Sequence, residues 1–420
     1  MQVFKFGGAS VNSVDRIKNV AGILKQYNDK KILVVISAMG KTTNALEKVV
    51  EAFCNNKNEE ALSLFEQVKQ QHLTTAKYLL VQNALACEQQ LLDFFTEVEW
   101  LLHDKPVREY DYYYDQVVCC GEMLSTAIVS HYLNEAGVTN QWIDVRDIIR
   151  TDDNFREATI NWEETSHKID ELINPLFQKT NIVLTQGFIG STDENESTTL
   201  GREGSDYTAS VFANMLNADG LTIWKDVESV MNADPKKFPE AQPIHELNYN
   251  EVIEMAYYGA QVIHPKTIKP LQNKGIPMYV KCFLNPRLQG TVIHSHSVKS
   301  LPPIIVLKEN QVMMEMSSRD FSFVSEQHTG TLYHLFEKYK LKPNLTQNGA
   351  ISFTAVLDNW PEKIEKLALE ASEIFDVQVT RDLSLLTIRH YTREVFEKLA
   401  EGKKIILQQR TPDTVQSLMQ

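Results

Sequence analysis

The chain has 420 residues, 43% of them hydrophobic and 23% charged, and a formal net charge of −13. That length allows two or three globular domains, and the acidic balance argues against a general nucleic-acid or acidic-membrane binder. No apolar run approaches the roughly 18 residues of a spanning helix, and the five cysteines are scattered without Cys-x-x-Cys spacing, so neither a disulfide framework nor a zinc site is supported and a cytoplasmic setting is expected.

Val3-Phe4-Lys5-Phe6 reads as a strand that ends in Gly7-Gly8-Ala9-Ser10 and leads to a helix with Val14, Ile17, Ala21 and Leu24 on its apolar face. Two adjacent glycines let the backbone approach a bulky anion, and the Lys5 ammonium can reach the same spot. A structural turn beside a surface lysine is the plain alternative. The unbroken apolar run from Ile32 to Ile36 is of strand length, as in a sheet covered on both faces. It leads into Ser37-Ala38-Met39-Gly40-Lys41-Thr42-Thr43. Gly40-Lys41-Thr42 looks like the tail of a P-loop, but Val35 stands where that motif needs its first glycine, so the reading is rejected. The segment is a hydroxyl-rich loop at a strand's carboxyl end, where open α/β sheets place ligands.

Residues 45–115 read as glycine-free helices, with Tyr110, Tyr112, Tyr113 and Tyr114 as a packing or subunit-contact cluster. Residues 117–136 form another helix that stops at Gly137. Glu122 within it would ordinarily lie on a solvated face, and the vicinal Cys119-Cys120 reads as buried packing. A strand over 138–145, a helix over 162–178 and a buried strand over 182–185 follow.

The next loop, Thr198 to Ala209, holds two glycines, a guanidinium and a carboxylate ahead of a helix with Tyr207, Val211, Phe212, Met215 and Leu216 on one face. Ser205 stands where an N-cap belongs. Strand, Gly201–Gly204 loop and helix start make an anion site, since free N–H groups and the positive helix end point the same way. Arg202 adds a fork that fits a carboxylate or phosphate. Asp206, read as one residue into the helix, could hold an amine or a metal. A tight turn with an ordinary cap remains the alternative for this loop alone.

Residues 221–224 form a further strand ending in Lys225-Asp226-Val227, and Asn232 to Lys237 are polar. A helix over 250–258 leads to Gly259-Ala260-Gln261-Val262-Ile263-His264-Pro265, and 278–282 is a strand. The alternation through residues 1–295 predicts a mainly parallel sheet with helices on both faces. After a linker over 295–303, elements at 312–317, 329–339, 342–346, 350–357, 361–375 and 377–380 give the order β-α-β-β-α-β. A shorter unit follows, with a strand at 384–389, a helix at 392–400, a strand at 404–408 and then a tail.

Lys5 to Val11, Ser37 to Gly40, Gly121-Glu122, Thr198 to Ala209, Trp224 to Val227, Asn232 to Pro235 and Gly259 to Pro265 occur in this order. The set resembles the aspartate kinases of the amino-acid-kinase family over essentially all of residues 1–295, and the remainder looks like the paired ACT domains that follow the kinase there. The resemblance implies a three-layer α/β/α kinase domain over 1–298, an α+β ACT-like domain over 304–382 and a truncated second ACT-like unit over 383–420. It implies transfer of the ATP γ-phosphoryl group, with Mg²⁺, to the side-chain carboxylate of L-aspartate. Such a reaction joins two anions, so catalysis would come from positioning and charge neutralisation.

By the same resemblance Lys5 would sit on the transferring phosphoryl group and Asp206 would orient it. Gly7, Gly8 and Ser10 would donate to phosphate, as would Gly204 and Ser205. Lys225, Asp226, Met231 and Lys236 fall where the family meets the nucleotide. Arg202 would clamp the aspartate α-carboxylate, Glu122 would lie near its amine, and Ser37 and Thr43 would line the acceptor pocket. No protein-held metal is expected.

Ala9, Glu203, Lys225, Lys236 and Gln261 depart from the family pattern, and Glu203 is expected to point outward. Asn344 to Ala350 lacks the carboxylate that lysine-inhibited relatives present there, so weak or absent lysine inhibition is expected, with the ACT-like region acting in homodimer or higher assembly. The alternatives are another kinase of the same fold, acting on glutamate or acetylglutamate, and a catalytically silent amino-acid sensor.

Overall fold

The computed structural model describes residues 1–260, 263–319 and 322–420. Two compact units emerge. The first comprises Met1–Val230, Pro243–Ile253 and Ile263–Val298, and the second Met231–Gln242, Glu254–Val262 and Lys299–Gln420.

The first unit is built on strands β1 (Gln2–Phe6), β2 (Ile32–Ile36), β3 (Asn140–Trp142) and β4 (Ile182–Gln186), the small hairpin β5 (Ile189–Ser191) and β6 (Ser197–Thr199), and β7 (Gly220–Lys225). Its eight-stranded sheet runs in the order Glu246–Asn248, Thr291–His294, Met278–Cys282, β7, β1, β2, β4, β3. Only the pair Met278–Cys282 with Thr291–His294 is antiparallel. Every residue of β2 and β4 is buried, as both-sided helical cover demands. Phe6 stacks on Trp224 and Phe4 meets the same ring edge-on, which packs β1 against β7.

The helices are α1 (Val14–Lys25), α2 (Thr42–Cys54), α3 (Asn58–Leu79), α4 (Ala84–His103), α5 (Tyr110–Val118), α6 (Cys120–Glu135), α7 (Trp162–Lys168), α8 (Asn174–Leu176), α9 (Gly204–Met215), α10 (Tyr249–Tyr258) and α11 (Pro265–Lys274). The helix expected over 162–178 is thus interrupted: a π-helical turn, Ile169–Ile173, separates α7 from α8. The strand expected over 138–145 is confined to β3, because Asp144 caps a short 3₁₀ turn at Val145–Asp147. Tyr113 is buried against Phe53, and Cys119 and Cys120 are both buried.

In the second unit a six-stranded sheet has the order Leu345–Asn348, Ser352–Asp358, Ile304–Ser318, Phe375–Arg389, Thr414–Met419, Ile405–Arg410. All its pairings are antiparallel. Two fifteen-residue strands, Ile304–Ser318 and Phe375–Arg389, pair along their length, with irregularities around Gln311. The boundary expected at 382/383 therefore falls inside one continuous strand. Nor is the C-terminal segment a tail. Thr414–Met419 pairs with Phe375–Arg389 on one side and Ile405–Arg410 on the other, the Thr411-Pro412-Asp413 turn having been an unread hairpin signal. No described helix is long and apolar enough to cross a membrane.

Candidate active site

Parallel pairing sets Phe6, Ile36, Gln186 and Trp224 on one rung of the sheet. The segments that follow them leave from the same edge, at the strands' carboxyl ends. They are also tied to each other. The Ser37 N–H donates to the Phe6 carbonyl at 3.2 Å, Gly40 N–H to the Gly8 carbonyl at 3.0 Å and Gly187 N–H to the Ile36 carbonyl at 3.1 Å. A Cβ on Gly8 would come 2.5 Å from the Ala38 carbonyl oxygen, and one on Gly187 would meet Ser205 Cα at 2.7 Å. These loops approach so closely that only glycine fits. Ser10 is buried in the 3₁₀ turn Gly8–Val11, where its N–H donates to the Gly7 carbonyl at 2.8 Å.

The charged centre is Lys5, from β1, whose Nζ lies 2.6 Å from Asp206 Oδ1 in the first turn of α9. Burial alone would push the Asp206 carboxyl up, but the charges of Lys5 and then Lys225 outweigh it and hold the group below its usual range. Lys5 and Lys225 thus both favour the charged form of Asp206. Lys225 is the last residue of β7.

Glu122 is fully enclosed rather than solvated, because α6 is buried from Cys120 through Ser130. Its Oε1 accepts the Ala38 N–H at 3.3 Å, while Oε2 is buried without a hydrogen-bond partner among the described residues. Burial raises its pKa to about 8, against the opposing pull of the Ala38 N–H and of Lys5. Burial thus favours the uncharged acid, while the charge of Lys5 draws it the other way. Ser37 is half-buried, and its carbonyl accepts the Ser125 hydroxyl at 2.6 Å. Thr43 is half-buried in the first turn of α2.

The Arg202 turn differs from expectation in two respects. Ser205 is not the N-cap: Gly201 and Glu203 both have positive φ (74° and 54°), so the chain winds into α9 at Gly204, with Glu203 as the cap residue. That conformation costs a side-chain-bearing residue roughly 1–2 kcal/mol. Gly204 is fixed by packing, since a Cβ there would lie 2.6 Å from Phe188 Cδ2. Nor does Glu203 point outward; its carboxylate accepts the His264 backbone N–H at 2.9 Å. Arg202 itself is exposed, four residues ahead of Asp206, and has no ion-pair partner among the described residues.

Asp226 is exposed just beyond β7. Met231 and Lys236 belong to the second compact unit; Lys236 is exposed and its N–H donates to the Asp234 carboxylate at 3.0 Å. Gln261 lies outside the described residues.

One supporting group had no reading in the sequence. Asp115 of α5 is fully buried. It accepts the Thr199 N–H at 2.8 Å, the Thr199 hydroxyl at 2.7 Å and the Arg156 N–H at 2.9 Å. It therefore anchors the strand that enters the Arg202 turn. Its signal was a charged residue amid the apolar face that continues into Val117 and Val118.

The amino acid kinase family model matches residues 1–282. Aspartokinase 3, chloroplastic, of Arabidopsis thaliana is 32% identical over 92% of this chain and 71% of its own length. Lysine-sensitive aspartokinase 3 of Escherichia coli (strain K12) is 30% identical over 92% of this chain and 86% of its own. The chain spans 65% of the length of Arabidopsis aspartokinase 1 and 66% of that of aspartokinase 2. Among solved structures, E. coli aspartokinase III in complex with aspartate and ADP superposes with a TM-score of 0.83 at 25% identity, covering 100% of this chain and 96% of that one. Its complex with lysine and aspartate gives 0.83 at 26%, covering 100% and 95%. With the site at the strand ends and these likenesses together, the chain belongs to the amino acid kinase family and, within it, to the aspartokinases.

Proposed function

We propose that this chain transfers the γ-phosphoryl group of ATP to the side-chain carboxylate of L-aspartate, giving 4-phospho-L-aspartate for lysine, threonine and methionine synthesis. The observation that carries the reading is the buried Lys5–Asp206 pair, with Lys5 one residue before the rung from which the glycine loops depart. An acceptor carboxylate is already nucleophilic, so the protein's task is to bring two anions together and neutralise them.

The residues present fit a nucleotide triphosphate. Gly7 keeps the space beside Lys5 free of a side chain, since a Cβ there would come 3.4 Å from the ammonium, and Gly8 lets the loop close on the Ala38–Gly40 backbone. Lys5 would neutralise the transferring group, with Asp206 fixing its position. Backbone N–H groups at Gly7, Gly8, Ser10, Gly204 and Ser205 would face phosphate oxygens, and Lys225 and Asp226 would meet the nucleotide beside them. Mg²⁺ would accompany the nucleotide and screen its phosphate charge; among the described residues no group of three or more His, Cys, Asp or Glu is placed to hold a metal. Arg202 would clamp the α-carboxylate of aspartate, and Glu122 would receive its ammonium, with Ser37 and Thr43 beside the acceptor.

We place the protein in the cytoplasm, with residues 1–298 as the catalytic part. The region from 304 onward, as two ACT-like halves that share the strand Phe375–Arg389, would serve homodimer or higher assembly. ADP release measured with L-aspartate, L-glutamate and acetylglutamate as acceptors tests the reading. Release that depends on L-aspartate supports it, release with another acceptor assigns a different kinase of this fold, and aspartate binding without ADP assigns a sensor.

A further inference from the structure

We infer that Glu203 is a positioning residue: it docks the Arg202 turn onto the start of α11 and so sets where the guanidinium stands. The inference rests on the proposed pairing of Arg202 with the aspartate α-carboxylate.

Glu203 occupies a left-handed conformation, φ 54°, that glycine would adopt without penalty. A strained residue persists where its surroundings hold it. Here the holding group is visible. The Glu203 carboxylate accepts the N–H of His264, the N-cap residue of α11. A carboxylate at that position gains both an unclaimed helix-end donor and the positive end of the helix.

A second fastening lies two residues further on. The Lys266 ammonium donates to the Leu200 carbonyl at 3.0 Å and sits 4.8 Å from the Tyr207 ring centre. The turn is thus tied to α11 at Leu200, Glu203 and Tyr207, on both sides of Arg202. Because the guanidinium has no ion-pair partner among the described residues, its placement depends on this docking of the backbone beneath it. A glycine at 203 would give the same turn without strain and without the tie.

Steady-state kinetics of the full chain and of Glu203→Gly, Glu203→Gln and Lys266→Met, with KM for each substrate and kcat separated, test this. Glu203→Gly should raise the KM for L-aspartate about tenfold, as loss of one charge-assisted hydrogen bond implies, with the KM for ATP changed less than about twofold. Glu203→Gln keeps an acceptor oxygen and should stay within about threefold of the unmodified chain. Lys266→Met should move the aspartate KM in the same direction as Glu203→Gly while leaving residue 203 intact. Thermal melting of each variant separates docking from general loosening. An unchanged aspartate KM in a folded Glu203→Gly chain overturns the inference. So does an equal loss in both KM values, or a Gln variant no better than Gly. An unmodified chain that releases no ADP with aspartate would instead defeat the functional reading itself.

Discussion

Lys5 Nζ and Asp206 Oδ1 stand 2.6 Å apart, and both side chains are nearly closed to solvent. Removing one partner of such a pair strands a buried charge, at a cost of about 3–5 kcal/mol. Asp206→Asn and Lys5→Met are each expected to lower the unfolding free energy from urea melts by that amount and to cut kcat at least about a hundredfold, since positioning and charge are lost together. A variant with full turnover and an altered midpoint would make the pair purely structural.

Gly8→Ala should cost both stability and turnover. The added methyl would lie 2.5 Å from a backbone oxygen, that of Ala38, which no side-chain rotation can relieve. Gly22→Ala is the matched control. Nothing lies within 4 Å of a Cβ there, and the residue sits inside α1, so the change should stabilise by about 0.5–1 kcal/mol. Melting curves of the two variants side by side give opposite signs if the loop contact is real.

Glu122 makes a prediction about pH. Its folded pKa of about 8 lies above the ordinary value of 4.5 because of burial. Between those values the unfolded chain releases a proton that the folded chain retains, so this group's contribution is complete at low pH and is lost as pH rises toward 8. Glu122→Gln lacks that titration. Its denaturation midpoint should gain on the unmodified protein from pH 5 upward and hold a constant lead above about pH 8. Parallel midpoints across that range would show that Glu122 is ionised in the fold.

Asp115→Ala should destabilise by about 2–4 kcal/mol, because two buried donors on Thr199 and a part-buried one on Arg156 lose their acceptor. Asp115→Asn, which retains one oxygen, should lose less. Urea melts of both variants check the order; equal losses would assign the effect to charge.

Millimolar free lysine is expected to leave turnover unchanged. The Asn344 amide nitrogen donates to Asp358 at 2.9 Å and to Gln311 at 2.8 Å, and its oxygen accepts from the Lys308 ammonium at 2.7 Å. An incoming ammonium would find the Asp358 carboxylate already engaged by the Asn344 and Gln311 amides, with the chain's own Lys308 ammonium on the far side of Asn344. Inhibition in a titration of the assay with lysine would show that the effector site lies elsewhere or that this network opens.

The placement of Lys5, Gly7, Gly8 and Asp206 at the sheet edge was legible because each lies in or beside an apolar run of strand or helix length. Glu122 was not. Its enclosure depends on α6 being covered on every side, and a helix with apolar and small residues spread round it shows no clear polar face from which burial could be read. Glu203 was misjudged for another reason: a left-handed glutamate is held by its bond to His264, sixty-one residues away, and no local pattern reports that. In the second unit the element order was readable, but not that one strand, Phe375–Arg389, continues through both halves, because the connection is made by pairing with Ile304–Ser318 upstream.

The alternation along β1 has a consequence for how this molecule can fail. Along β1, Phe4 and Phe6 both meet Trp224 while Lys5, between them, meets Asp206. Sliding β1 by one position would exchange ammonium for benzyl at the carboxylate and bury a cation among aromatic rings. The hydrophobic alternation that seats the strand thus also proofreads the placement of its charge, and a mis-seated chain would lose its fold before it could act as a poorer catalyst.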